Sequence, residues 1–137
     1  MTKRISKKPV DKSKYSNYLQ KSIENYEASV KTLEKGAHNA AAVSAVHSAI
    51  SAVDAYCVYG LGQRCTSPKH EDAADLIITT PFNDKEKALV SKKFKSIIKI
   101  KNMAEYEERL VKPKDAGKAV REAGELLEII SNRVEAE

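Results

Sequence analysis

"AAAVSAVHSAISAVDAYCVYGLG", residues 40–62, decides the fold. Val43, Val46, Ile50, Val53 and Cys57 recur at helical spacing and form one seam. Around that seam nearly everything is Ala or Ser, and His47 and Asp54 are the only strongly polar residues before Arg64. A helix that is apolar or small on every side has to be buried on every side. Its small side chains also let neighbouring backbones approach closely. The stretch therefore predicts a central helix, capped at its start by Asn39, with one face that can meet a second copy of the chain. His47 and Asp54 share a face two turns apart, and each is expected to find its own partner on a neighbouring helix, as buried polar groups must.

The flanking segments read as its neighbours. Tyr15, Leu19, Ile23, Tyr26, Val30 and Leu33 make a first seam, which Gly36 ends where a left-handed cap is usual. After the loop "GLGQRCTSPK", residues 60–69, "KHEDAADLIITT" reads as a short helix ending before Pro81. Asn83 or Asp84 can cap the next helix, whose apolar stripe is Leu89 or Val90, Phe94, Ile97 and Ile98. Lys92, Lys95 and Lys99 share another face of it, a basic stripe able to contact phosphate. Ala116, Val120, Ala123, Leu127, Ile130 and Val134 form the last seam, with Pro113 and Asp115 at its start. With few Gly and Pro, and no Trp, a turn-rich β fold is excluded; the expectation is all-α, an antiparallel four-helix bundle plus one short extra helix.

Charge divides the chain unevenly. Lys3, Arg4, Lys7, Lys8, Lys12 and Lys14 against Asp11 alone account for the whole net charge of +5. Residues 1–14 are thus expected to be a basic, flexible tail on a domain spanning 15–137. No apolar stretch follows this basic start, and no run is long enough to cross a bilayer, so a cytoplasmic protein without membrane contact is expected. Cys57 and Cys65 have no second pair to complete a metal site and are read as reduced thiols. Neither a metal nor a cofactor is called for, since no phosphate-cradling Gly loop, metal spacing or Ser/His/Asp set occurs.

Two stretches resemble the HEPN family, the small helical domains of prokaryotic toxin–antitoxin and defence systems. Residues 42–77 place an Ala-rich helix with Val46-His47-Ser48, a Gly-containing turn, and Ser67 to His70 opening the next helix. Lys101-Asn102-Met103-Ala104-Glu105-Tyr106 stands where family members commonly carry Arg-Asn-x-Ala-Asp-Tyr. The resemblance covers about residues 15–134 and implies a homodimer, with a nucleotidyltransferase-like antitoxin as partner.

Ribonuclease members carry Arg-x4-6-His at this second place. There the arginine fork holds the scissile phosphate and the histidine moves a proton. Lys101 keeps the charge but loses the fork, and Tyr106 is a poor proton shuttle at a pKa near 10. The resemblance therefore implies a degenerate site: a nucleotide- or RNA-binding module rather than an enzyme. Lys101, Asn102 and Tyr106 would line its dimer cleft, with Lys92, Lys95 and Lys99 as phosphate contacts. Arg64-x5-His70 repeats the nuclease spacing elsewhere and makes these two the catalytic candidates of an alternative, a metal-independent ribonuclease toxin. Otherwise His70 sits in the first turn of the short helix and Arg64 is solvated. A third reading is a structural bundle that docks a protein.

Overall fold

The structure, a computed structural model, describes residues 5–135, apart from the side chain of Tyr106. It is mainly helical: α1 spans Tyr15–Glu34, α2 His38–Leu61, α3 Ala73–Ile78, α4 Asp84–Tyr106 and α5 Pro113–Val134. Two short strands, β1 (Lys7–Pro9) and β2 (Gln63–Cys65), form an antiparallel pair. All five helices foreseen are present. The strand pair was not foreseen, because three exposed residues carry no periodic pattern of their own.

Local chemistry sets several of the helix ends. Gly36 takes a left-handed φ of 78°, and the amide of Ala37 then closes onto the Thr32 carbonyl at 2.9 Å. Gly62, at φ 67°, ends α2 in the same way. The Asn83 side chain accepts from the Glu86 amide at 2.8 Å and starts α4. Asn39 behaves differently from the expectation. α2 begins one residue before it, after Ala37, and the Asn39 Oδ1 instead accepts from the Val111 amide at 3.4 Å. A carboxamide inside the helix is more useful to the otherwise unpaired loop backbone than to its own helix start.

α2 is the central element and packs against α1, α4 and α5. Ala41, Ala45, Ala49, Ala52, Val46 and Val53 are all buried, as a helix of small residues requires. Every residue of the α5 seam is buried too; on α4, Val90 lies inside while Leu89 is 43% exposed. The small residues are used within the chain. Ser22 of α1 and Ser48 of α2 clasp each other, each hydroxyl donating to the other residue's carbonyl at 2.8 Å. Filling that contact with Ser48→Val should cost about 1–3 kcal/mol, read as a drop in the urea midpoint. Farther along, Glu86 accepts from the Tyr56 hydroxyl at 2.7 Å and from Arg133 Nη2 at 2.9 Å, tying α2, α4 and α5 together.

Residues 5–14 are placed rather than free. β1 pairs with β2, and Asp11 accepts from the Ser13 amide at 3.0 Å, capping a 3-10 turn over Lys12–Lys14. Where a flexible tail was expected, a two-strand pairing and a side-chain cap satisfy the backbone. Lys3 and Arg4 lie outside the described residues. α2 is long and apolar enough to cross a membrane by composition, yet 72% of its most apolar window is buried inside the fold.

Candidate functional site

The left-handed turn at Gly62 reverses the chain at the end of α2 and sends it into β2. Pairing with β1 puts Arg64 opposite Lys8 and holds its backbone. The Arg64 side chain then folds back over α2. Its Nη2 lies 3.4 Å from Asp54 Oδ2, and its guanidinium sits 5.6 Å from the Tyr18 ring centroid. Beyond β2, the Thr66 amide donates to the Ser6 carbonyl at 2.8 Å, and Ser67 donates to Asp72 at 2.6 Å. These bonds shape the loop that carries His70 into a 3-10 turn ahead of α3.

Asp54, Arg64, Ser67 and His70 thereby line one cavity of about 250 Å³, floored by Ile50 and Phe94. Arg64 and His70, which the sequence offers only as a spacing match, face the same space. The expectation that Arg64 is solvated fails: its side chain is 30% exposed and paired. Its shielded Nε has no hydrogen-bond partner among the described residues. Asp54 is the residue sequence reasoning missed. The signal was present, a lone carboxylate on an otherwise apolar helix, which must find a cation. The nearest cation downstream in sequence is Arg64, across the Gly62 turn.

Burial dominates the titration of the acid: it pushes Asp54 up to about 6, against the opposing pull of Arg64 and Lys21. His70 is shifted the other way. Burial and then the positive charge of Lys101 hold it below the ordinary imidazole value, while Glu105 and Glu71 oppose them and His47 adds to them. The shift favours the neutral imidazole, the form that can accept a proton. Both cysteines are free, and burial raises both thiols above their ordinary range, so neither is poised as a nucleophile.

The other sequence-derived residues separate into two places. Lys101 is only 7% exposed, with Nζ 3.0 Å from Glu105 Oε2 one turn along α4. It acts on the cavity through its charge at His70. Asn102 is exposed beside it, and the Tyr106 side chain lies outside the described residues. Lys92, Lys95 and Lys99 are exposed; the first two border a separate groove of about 450 Å³ with Lys87 and Ser91. His47, expected to be buried, is exposed. Among the described residues no group of three or more His, Cys, Asp and Glu side chains is arranged to hold a metal ion. Comparison of the chain with protein-family models, curated proteins and solved structures finds no match.

Proposed function

We propose that this chain is a HEPN-like four-helix-bundle protein that binds a phosphate of a nucleotide or RNA in the Asp54–Arg64–His70 cavity. One observation carries the reading: Arg64 and His70, carried by different elements, line the same cavity. A guanidinium fork suits a phosphate's oxygens. Compared with the earlier expectation, the contact moves from Lys101, which is buried against Glu105, to Arg64. The HEPN resemblance supplies the rest of the proposal: a cytoplasmic homodimer of a toxin–antitoxin or defence-type system with a nucleotidyltransferase-like partner.

A second reading has its own support. His70 and Arg64 lining one cavity are the residue types a metal-independent ribonuclease needs, a base for the 2′-hydroxyl and a clamp for the phosphate. Incubating labelled mixed-sequence RNA with the wild type and with His70→Ala in EDTA tests both. Retardation without cleavage, weakened in the variant, is expected for the binding module. Cleavage lost in His70→Ala would make it a nuclease, and absence of both retardation and cleavage would sink the proposal.

A further inference from the structure

A second cavity, on the other side of the Gly62 turn, is walled by aromatic rings. Tyr15 opens α1, Tyr59 closes the last turn of α2, and Phe82 follows Pro81 in the α3–α4 loop. Together they border a space of about 440 Å³ whose rim is Lys12 and Ser13. Tyr15 stands edge-on to Tyr59, centroids 5.1 Å apart, and Tyr59 lies nearly parallel to Phe82, 15° between planes at 6.3 Å. Phe82 is anchored from behind by the Tyr56 ring at 4.5 Å and the Arg133 guanidinium at 5.5 Å.

The backbone makes room for this wall. A Cβ on Gly60 would sit 2.9 Å from the Phe82 ring and 3.2 Å from Pro81, so only glycine admits both at the foot of the cavity. Lys12 is set in place by the other glycine turn: its Cγ would lie 3.5 Å from a Cβ on Gly62, so its stem runs across that turn towards the rings. Lys7, Lys8 and Lys14 are exposed on the same ordered segment. Its only acid, Asp11, is turned onto Ser13, accepting from both the amide and the hydroxyl.

Aromatic rings bordering a space with an exposed lysine on its rim suit a flexible polyanion with aromatic groups. A neutral proline-rich peptide would use the rings and leave the lysine idle. We propose that this cavity stacks a base of single-stranded RNA, with Lys12 on an adjoining phosphate. The inference rests on the nucleotide- or RNA-binding reading above and adds a base-contacting site distinct from the Arg64 cavity.

The test compares a 12-residue oligouridine with a base-free ribose-phosphate oligomer of the same length, by anisotropy and by protein fluorescence. With six Tyr and no Trp in the chain, quenching that is lost in Tyr59→Leu or Tyr15→Leu reports on stacking in this cavity. Oligouridine should bind at least about fivefold more tightly than the base-free oligomer and quench tyrosine emission. Tyr59→Leu and Tyr15→Leu should each shrink that preference, whereas Arg64→Ala should weaken both oligomers alike. Equal affinity for the two oligomers in the wild type, with Arg64→Ala still weakening both, would overturn the stacking site and leave the phosphate site standing. Binding of neither oligomer would overturn both. The wild-type comparison needs no variant to fold.

Discussion

Replacing Arg64 by alanine should weaken retention of a labelled single-stranded RNA about ten- to a hundredfold at low salt, measured by fluorescence anisotropy. The size follows from the bonds removed. A charge-assisted hydrogen bond contributes about 1.5–3 kcal/mol, and about 1.4 kcal/mol is a factor of ten. Arg64→Lys should fall between the two, since it keeps the charge and loses the fork. The slope of log affinity against log salt should also fall by about one in the alanine variant, one phosphate contact fewer. Alanine has a second effect. Asp54, 7% exposed, would lose its ion-pair partner, so Arg64→Ala should also melt lower at pH 7. Affinities are therefore compared at a temperature where both proteins are folded. Undiminished binding in folded Arg64→Ala would remove Arg64 from the site.

The second large effect is a pH dependence of stability that Asp54 controls. In the folded protein its carboxyl titrates at about 6, above its ordinary 3.8. Between those values the folded state keeps a proton that the unfolded chain has released. The stability it contributes is therefore full below the unfolded pKa and is lost as pH rises through about 6. A difference of about two pKa units corresponds to about 3 kcal/mol. Asp54→Asn removes the titration and keeps an oxygen for Arg64. Urea unfolding at pH 4, 5, 6 and 7.5 should show the variant gaining on the wild type as pH rises, by about 2.5 kcal/mol over the range. His70, held below its ordinary value, tilts both proteins in the opposite direction, so the difference between them isolates Asp54. Parallel curves for the two proteins would mean that the carboxyl is not raised.

Periodicity and caps made the helices legible. Gly36 is left-handed and Asn83 caps α4, because each depends on neighbours within about one turn, and the amphipathic period of α5 marked the seam that packing buries. The candidate site was legible only as residue types. Arg64-x5-His70 was visible as a spacing, yet its spacing says nothing of Asp54, which lies ten residues earlier and on another element. Lys101 was visible as a cation, whereas its burial against Glu105 depends on what packs over α4.

By itself, then, the sequence determined five helices, their main stops and a central helix of small residues, since local hydrogen bonding and amphipathic period need no distant partner. Tertiary structure decided that β1 pairs with β2, that Asn39 serves Val111, and that Arg64 returns onto Asp54 beside His70. Those outcomes join residues far apart in the chain. They depend on which groups lose water together, and that is set only once the helices have packed.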